Sequence, residues 1–581
     1  MKENCLMCFC LIALFFLVNE TVAQETVFKV EDLMTSNRTP TYDEMVFFYE
    51  KYANENPRIA LYQMGTTDAG KPLLLCVLNA LPDSAKTFEK ARNSAVLLVN
   101  NGIHPGEPCG INASMQLVHE YAYADEQTQK NFPVVGIIPS YNIGGMLNRS
   151  STSRANQNGP EEYGFRGNAR NLDLNRDFIK TGSENMVAFA TLFHALDPDV
   201  FIDTHTSNGA DYQYTMTYIA PVKERLPEPI RTIQFENCIP YMEKSLPQKW
   251  GYDFFPYVSL KGKTLEDGIY SFNGTPRYAM GYAELFHTIS FTTEAHMLKP
   301  FPDRVRSTFA VIMELIAWTM SNESEIEAAR EKTKKLSWNQ SRIGVNYKLS
   351  NEATSVDFKG YKWRYEKSGI TEQPRLKYFR DSAEVFNLNS FETHVASDSI
   401  TVPAFYIVRR TEGDIISLLD LNKVEYKYVK NDSLIRAEQC RIQSFESVNK
   451  PYEGRFLHFN TQAEWEPVEV VLNSGDVVVP VKQDKATYIL AILDPRQPDS
   501  FFNWSFMDSY VQQKEYFSPY VFEDIATELL GTNRELREDF RRKQKEDPEF
   551  SSNRWEQLYF IYKRSPYFEP THNLLPIFRV Q

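Results

Sequence analysis

The first part of the chain alternates between short apolar runs and longer amphipathic segments. The apolar runs have the length and the β-branched or aromatic content of buried strands; they are residues 95–100, 134–139, 200–203 and 289–293. Segments with helical periodicity lie between or after them, at residues 111–123, 183–196 and 303–320. Strands that alternate with helices predict an α/β fold, with a mixed, mostly parallel sheet and helices on both of its faces.

The pattern changes after residue 338. A charged helix at residues 321–335 is expected to end the first region, and the chain is then rich in predicted strands from 341 to 495. Two of these strands, 468–472 and 477–481, flank turn-forming residues and are predicted to form a hairpin. From residue 503 the pattern is helical again, with a charged stretch at 534–549. We therefore expect a first domain at 24–338 and an accessory α+β region at 339–581.

The N-terminus has the pattern of a secretory signal. Lys2 precedes an apolar stretch from Cys5 to about Val18, and small residues at 21–23 fit a cleavage site. A membrane anchor is the alternative, but the apolar stretch is shorter than the roughly 20 residues that a span needs. We expect residues 1–23 to be a signal peptide, the protein to be secreted or periplasmic, and no stable membrane span to remain.

Composition narrows the classes of function. The 581 residues are 42% hydrophobic and 24% charged, which is typical of globular proteins, and the length allows two to four domains. The formal net charge of −13 argues against a nucleic-acid-binding protein, which needs a basic face. The cysteines beyond the signal contain no Cys-x-x-Cys pair, so neither a thiolate metal site nor a redox motif is indicated. One or two disulfides remain open.

Polar side chains follow three of the predicted strands. His104 and Glu107 come shortly after the first strand, His205 lies just beyond another, and Glu294 directly follows the run 289–293. In open α/β sheets, ligand sites gather beyond the carboxyl ends of the strands. Two histidines and a carboxylate can bind zinc with one position open for water, and a further carboxylate can act on that water. These four residues therefore predict a zinc hydrolase.

A second motif makes this prediction more specific. Residues 166–178 contain Asp173, Asn175 and Arg176 in the order Asp-x-Asn-Arg. His-x-x-Glu, then Asp-x-Asn-Arg, then a strand-end His and a strand-end Glu together resemble the zinc metallocarboxypeptidases related to carboxypeptidase A. The resemblance covers about residues 45–320. The C-terminal part resembles the extension of some long, secreted bacterial members.

The resemblance implies a role for each matching residue near the metal. His104, Glu107 and His205 would bind Zn²⁺. Asp173 would accept the other ring N–H of His104 and so fix its tautomer. Glu294 would be the general base that takes a proton from the zinc-bound water and delivers it to the leaving amine.

The resemblance also implies how the substrate is held. Asn175 and Arg176 would bind the C-terminal carboxylate, since a guanidinium binds a carboxylate through two charge-assisted hydrogen bonds. Arg166 would stabilise the oxyanion. Arg154 is its rival, because the loop at residues 144–167 is longer than the minimal loop of the family.

Two further residues are implied on weaker motifs. Tyr270 resembles the mobile substrate-binding tyrosine of the family. Its rivals are Tyr278 and Tyr282. Arg277 falls near the specificity position of the family and would favour an acidic side chain on the C-terminal residue of the substrate. The alternative for Arg277 is an ion pair with Glu284 or Asp267.

The predicted function is therefore zinc-dependent hydrolysis of a C-terminal peptide bond. A peptidoglycan-stem peptidase, or an amidase acting on another carboxylate-bearing amide, would use the same groups, so the predicted partner is a peptide or a muropeptide. A non-catalytic binding protein that keeps the zinc fold is the alternative from another class. Glu294 argues against it, because a pure binding protein needs no general base.

Overall fold

The computed structural model describes residues 29–581, so the expected signal at residues 1–23 lies outside the described part. The first ten strands are β1 (Ile59–Thr66), β2 (Pro72–Leu78), β3 (Val96–Asn100), β4 (Val134–Ile138), β5 (Val200–Ser207), β6 (Met216–Ile219), β7 (Phe255–Pro256), β8 (Ser259–Leu260), β9 (Ile269–Tyr270) and β10 (Ile289–His296). Eight of them form one sheet in the order β1-β2-β4-β3-β5-β10-β6-β7. Its central strands β4, β3, β5 and β10 are parallel, whereas β1, β2 and β6 join antiparallel. The predicted α/β class with a mixed sheet is confirmed.

Helices pack on both faces of this sheet. They are α1 (Tyr42–Glu55), α2 (Ser84–Ala91), α3 (Cys109–Tyr123), α4 (Glu126–Asn131), α5 (Ile143–Leu147), α6 (Glu184–Leu196), α7 (Glu228–Thr232), α8 (Ile239–Trp250), α9 (Ala279–Glu284), α10 (Phe301–Ser321) and α11 (Glu323–Ser337). Alternate residues of β3 enter different cores, because successive side chains of a strand point to opposite faces. Leu98 lies in one core with Phe189 of α6, and Val99 lies in the other with Leu315 of α10.

Two strands are longer than the apolar pattern indicates. β5 continues beyond the predicted 200–203 to Ser207, and β10 continues beyond 289–293 to His296. The parallel pairing of β5 with β10 persists through these polar residues and ends at His296 opposite Ser207. His205 and Glu294 therefore lie within strands, as direct neighbours in the register, and not in the loops that follow.

The accessory region is strand-rich and then helical, as predicted. Its strands are β11 (Arg342–Leu349), β12 (Thr354–Lys367), β13 (Pro374–Phe391), β14 (His394–Thr401), β15 (Phe405–Val408), β16 (Lys427–Tyr428), β17 (Ser433–Ser447), β18 (His458–Leu472), β19 (Val477–Pro480) and β20 (Leu574–Val580). Its helices are α12 (Gly413–Leu421), α13 (Ala486–Leu493), α14 (Pro519–Thr532), α15 (Arg534–Glu546), α16 (Pro548–Ser552) and α17 (Arg554–Tyr562). A six-stranded sheet has the order β16-β19-β15-β20-β17-β18.

The predicted hairpin at 468–481 is wrong. β18 pairs with β17, whereas β19 pairs with β15 and β16 in the other half of the sheet. The intervening turn is fixed by Asp476, whose carboxylate accepts hydrogen bonds from the backbone N–H groups of Asn473 and Arg410 at 2.9 and 3.0 Å. Arg409 donates to the same carboxylate at 2.7 Å. The turn is thus held by the segment that follows β15, and the chain continues to that strand.

The two regions share structure across residue 338. β13 of the accessory region pairs in parallel with β9, with Phe391 opposite Tyr270. One apolar core contains residues from both regions, and in it Phe286 stacks on Tyr488 with 5.5 Å between the ring centroids. The boundary at 338 stays a prediction, but the accessory region is packed against the first region and not suspended from it.

Residues 29–581 contain neither a disulfide nor a helix that could span a membrane. Cys76, Cys109, Cys238 and Cys440 are all free thiols and all buried, so none of the open disulfides forms among the described residues. Within the same range, no helix combines the length and the apolar content that crossing a bilayer requires.

Arg330 of α11 is predicted to be a main electrostatic contributor to the stability of the first region. Its buried guanidinium lies 2.7 Å from the Asp197 carboxylate and 2.5 Å from that of Asp199. Replacing one partner of a buried pair leaves an uncompensated charge, so Arg330→Met should lower the free energy of unfolding by about 3 kcal/mol in urea denaturation. Arg436→Met is the control, because Arg436 pairs with Glu469 at the exposed surface. It should cost about 1 kcal/mol or less, and equal losses in both variants would contradict the prediction.

Candidate functional site

A cavity of about 650 Å³ lies at the carboxyl edge of the central sheet. The strand-end residues predicted from the sequence meet there, together with both candidate oxyanion arginines and the Asp-x-Asn-Arg motif. The lining includes His104, Glu107, Arg154, Arg166, Asn175, Arg176, His205, Tyr270, Tyr278 and Glu294. The structure therefore brings nearly all of the candidate residues together in this cavity. Asp173 does not line the cavity but contacts His104, which does. Arg277 does not line the cavity either.

His104, Glu107 and His205 form a compact group of ligand atoms. One ligand atom from each residue lies within 4.8 Å of the other two, and all three side chains are buried. Nδ1 of His104 is 3.3 Å from one Glu107 oxygen, and Nδ1 of His205 is 2.9 Å from the other. Nδ1 of His104 is buried without a hydrogen-bond partner, which is costly unless a metal ion or another group satisfies it. The donor set and this unsatisfied nitrogen fit a zinc ion.

A carboxylate orients each of the two histidine rings. Nε2 of His104 lies 2.8 Å from Asp173, and Nε2 of His205 lies 2.7 Å from Asp203. When Nε2 donates to a carboxylate, Nδ1 is left deprotonated and available as a ligand. The sequence-based prediction included Asp173 but missed Asp203. The spacing could have revealed it, because residues two apart on a strand point to the same face.

Glu107 is held as a charged ligand. Its carboxylate accepts a hydrogen bond from Arg154 at 2.7 Å and another from the backbone N–H of Thr206 at 2.9 Å. Burial alone would raise the pKa of this carboxyl, but Arg154 and His104 outweigh it and hold the pKa well below its usual value. The ionised form of Glu107 is therefore favoured, and this form can bind a cation.

The pKa of Glu294 is shifted in the opposite direction. Burial raises its pKa to about 8, with His205 opposing the shift and Glu107 and Asp203 adding to it. A bound dication would lower this pKa again. A carboxyl whose pKa is brought near neutrality in this way can both take and release a proton, as a general base and acid must.

Arg154 and Arg166 both approach the metal-ligand group. Arg154 is largely buried and bonded to Glu107, while its other nitrogen donates to Gln157 at 3.3 Å. The side chain of Arg166 is 45% exposed, donates to Asp173 at 2.9 Å and lies 3.6 Å from Glu107. Arg154 is thus bonded to a candidate metal ligand, whereas a larger fraction of the Arg166 side chain is exposed.

The Asp-x-Asn-Arg motif folds as a short 3₁₀ turn at Leu174–Arg176, capped by the Asp173 carboxylate. Asn175 Oδ1 accepts a hydrogen bond from the backbone N–H of Ala279 at 3.2 Å, which fixes the amide in the cavity wall. The Arg176 guanidinium lies over the ring of Tyr278, 4.5 Å from its centroid. Both residues therefore present fixed polar groups beside the candidate metal ligands.

Three tyrosines were candidates for the substrate-binding residue. Tyr270 lines the cavity and is 36% exposed, and Tyr278 lines it while stacking on Arg176. Tyr282 is fully buried in the core, where its hydroxyl donates to Asn422 at 2.6 Å, so it is not a candidate. Tyr257 also lines the cavity and was missed by sequence analysis. Burial, followed by the charge of Glu294, raises its pKa.

The structure places Arg277 away from the cavity. Its Nε donates to Asp499 of the accessory region at 2.8 Å, and its backbone N–H donates to the same carboxylate at 3.0 Å. The ion-pair alternative named Glu284 or Asp267, but Glu284 pairs with Arg225 instead. Arg277 is therefore bound to a partner 222 positions away and does not line the cavity.

Comparison with solved structures finds metallocarboxypeptidases over about half of the chain. A metallo-carboxypeptidase from Burkholderia cenocepacia is 16% identical, with 48% of this chain and 70% of that one covered and a TM-score of 0.36. Carboxypeptidase A from Helicoverpa armigera is 15% identical, with 51% and 75% covered and a TM-score of 0.37. Bovine thrombin-activatable fibrinolysis inhibitor is 13% identical, with 51% and 98% covered and a TM-score of 0.35. Comparison with curated proteins gave no match.

One protein-family model matches part of the chain. The model of the zinc carboxypeptidase family, Peptidase_M14, matches residues 45–213, a segment that contains His104, Glu107, Asp173 and His205. The family binds Zn²⁺, and these are the residues that form the metal-ligand group and orient one of its histidines. Residues 45–213 are therefore similar to the zinc carboxypeptidase family, and the metal-ligand group lies within them.

Proposed function

We propose that the protein removes residues from the C-terminus of peptides, and that it does so as a secreted or periplasmic enzyme. The observation that carries this proposal is the presence of Arg176 and Asn175 in the same cavity as the metal-ligand group and Glu294. A hydrolytic centre alone could act anywhere along a peptide. A guanidinium fixed beside it binds a carboxylate, and the free carboxylate of a peptide is at its end.

His104, Glu107 and His205 would hold the zinc ion, which when bound polarises the scissile carbonyl and lowers the pKa of water to about 7. Asp173 and Asp203 keep both histidine rings oriented with Nδ1 towards Glu107, where the ion would bind. This arrangement is set before the substrate arrives, so no ligand has to reorganise during the reaction.

Glu294 would act as the proton carrier. As the neighbour of His205 in the β5–β10 register, it faces the same cavity as the metal ligands. It takes a proton from the attacking water and then gives that proton to the leaving nitrogen, so that the new amine departs neutral. Its pKa, raised by burial, suits both halves of this task.

Arg166 would stabilise the negative charge that develops on the carbonyl oxygen, since it is the more exposed of the two cavity arginines. Asn175 and Arg176 hold the substrate carboxylate, and Tyr270, which lines the same cavity, would close over the bound end. One set of residues would thus act on the scissile bond, and another would hold the substrate carboxylate and so align that bond for reaction.

The first test is the release of C-terminal residues from a peptide library by the zinc-loaded protein. Release should be abolished by a chelator and restored by zinc. Glu294→Gln should lower kcat by about 10²- to 10⁴-fold with unchanged zinc content, because it removes the general base and no ligand. Glu120→Gln, on the surface of α3, is the control and should behave as the wild type.

Muropeptides are tested in parallel with free peptides in the same assay. Cleavage of muropeptides alone would redirect the proposal to a peptidoglycan-stem substrate. If the wild-type protein carries zinc and releases no residue from either substrate, the proposed activity is wrong.

Arg166 and Arg154 should respond differently to truncation. Arg166→Ala should lower kcat by about 10²- to 10³-fold, as expected for loss of an oxyanion donor, with a smaller loss of zinc affinity than Arg154→Ala because Arg166 donates to Asp173 and not to a ligand. Arg154→Ala should weaken zinc binding by about 10- to 100-fold, because Arg154 bonds to the ligand Glu107. Zinc affinity from competition with a chromophoric chelator, measured beside kcat, separates the two. The reverse pattern would assign the oxyanion role to Arg154.

Arg277→Ala should leave the preference for the C-terminal side chain unchanged, because Asp499 binds the guanidinium outside the cavity. Its main effect should be on stability, since it removes the guanidinium that compensates the charge of the buried Asp499 carboxylate, at a cost of about 3 kcal/mol. Relative kcat/KM values for peptides ending in acidic, basic and apolar residues provide the check. A selective loss of acidic substrates would restore Arg277 as a specificity residue.

A further inference from the structure

A tight turn of the accessory region reaches the Asp-x-Asn-Arg motif. Tyr452 and Arg455 exchange backbone hydrogen bonds of 2.8 and 3.1 Å across this turn. The two central residues, Glu453 and Gly454, have φ values of 48° and 79°, as in the turns that connect tightly paired chains. The turn projects the side chains of Tyr452 and Glu453 onto the motif that holds the substrate carboxylate.

Tyr452 contacts Arg176 directly. The Nε–H of Arg176 donates to the Tyr452 hydroxyl at 2.9 Å, while Nη1 donates to the backbone oxygen of Asn175 at 2.8 Å. Together with stacking on Tyr278, these contacts fix the guanidinium in its plane. Arg176 lines the cavity and Tyr452 does not, so Tyr452 supports Arg176 without itself lining the cavity.

Glu453 holds the other end of the same motif. Its carboxylate accepts the backbone N–H of Asp173 at 2.7 Å. Asp173 in turn orients His104 and caps the turn that carries Asn175. One turn of the accessory region is therefore bonded both to the arginine that would bind the substrate and to the carboxylate that orients a metal ligand.

The turn itself is anchored in the accessory core. Its Tyr452 ring stacks on the buried Trp504, with centroids 6.2 Å apart, and Arg455 donates to the backbone oxygen of Trp504 at 3.2 Å. Arg277 lies over the Trp504 ring at 5.2 Å and is held by Asp499. Arg277, which the sequence predicts to contact the substrate side chain, thus packs on the same tryptophan that anchors the turn.

We infer that Tyr452 and Glu453 are positioning residues of the substrate-carboxylate site, so that the accessory region is a working part of this site. The inference rests on the proposed function, since it concerns the group that would bind the C-terminal carboxylate. An arginine side chain has many rotamers, and fixing it before binding removes an entropic cost that the substrate would otherwise meet. Loss of either support should therefore weaken carboxylate recognition and leave the hydrolytic groups intact.

The test uses the full-length, zinc-loaded protein and the variants Tyr452→Phe, Glu453→Ala and Glu453→Gln. Binding of N-acetyl amino acids and of the corresponding amides is measured by calorimetry, because only the acids offer a carboxylate to Arg176. Tyr510→Phe and Glu569→Ala are matched controls: Tyr510 donates to Glu412 at 2.6 Å and Glu569 accepts a backbone N–H at 2.6 Å, both within the accessory region.

Tyr452→Phe and Glu453→Ala should weaken binding of the acids by about three- to tenfold, the usual effect of losing one hydrogen bond, and leave the amides unchanged. KM for peptides should rise by the same factor, with kcat within about twofold of the wild type. Glu453→Gln should restore most of the affinity, because its side-chain oxygen can still accept the Asp173 N–H. Both controls should match the wild type.

An unchanged ratio of acid to amide affinity in both Tyr452→Phe and Glu453→Ala would overturn the inference, even if the wild type is an active carboxypeptidase. If the wild type releases no residue but binds acids better than amides, and Tyr452→Phe removes this difference, the positioning role holds and the proposed activity fails. A wild type that does not distinguish acids from amides would overturn both.

Discussion

The hydrogen bonds from the two buried histidine rings to Asp173 and Asp203 are the constraint on which the rest of the site depends. Each bond uses one ring nitrogen and turns the other towards Glu107, so three ligand atoms converge without any contribution from a loop that must move. The neighbouring strands then place Glu294 beside His205. Arg154 lowers the pKa of Glu107, whereas burial raises the pKa of Glu294 towards neutral pH. The two carboxyls of one cavity are therefore suited to different tasks, the first to binding a cation and the second to proton transfer.

The sequence was sufficient to predict the α/β sheet and the residues that gather at its edge, because those signals are local. Apolar strands followed by polar residues place those residues at one edge of a parallel sheet, whatever the loops between them do. The failed hairpin at 468–481 shows the limit of this reasoning. Periodicity identifies a strand but not its partner, and here Asp476 ties the turn to a segment more than 60 positions earlier. Arg277 and Tyr452 were beyond prediction for the same reason, since their partners lie 222 and 276 positions away.

The accessory region contacts the first region at two places near the cavity. On one side β13 extends the sheet that carries Tyr270, and on the other the turn at Tyr452–Arg455 supports the Asp-x-Asn-Arg motif. A shared apolar core joins the two regions between these contacts. The candidate metal ligands come entirely from the first region, so the accessory region would act on the site only through the residues that it supports, Arg176 and Asp173.

The pairing of β9 with β13 has a consequence for the timescale of substrate capture. Tyr270 lies in β9, and its backbone is bonded into a sheet with β8 on one side and β13 on the other. Movement of the whole segment would break the backbone hydrogen bonds of β9, whereas rotation of the half-exposed Tyr270 ring leaves those bonds intact. Side-chain rotation is a picosecond-to-nanosecond process and loop rearrangement is much slower. Under the proposed role of Tyr270, closure over a bound peptide end should therefore be a fast rotameric event, and turnover should not wait for it.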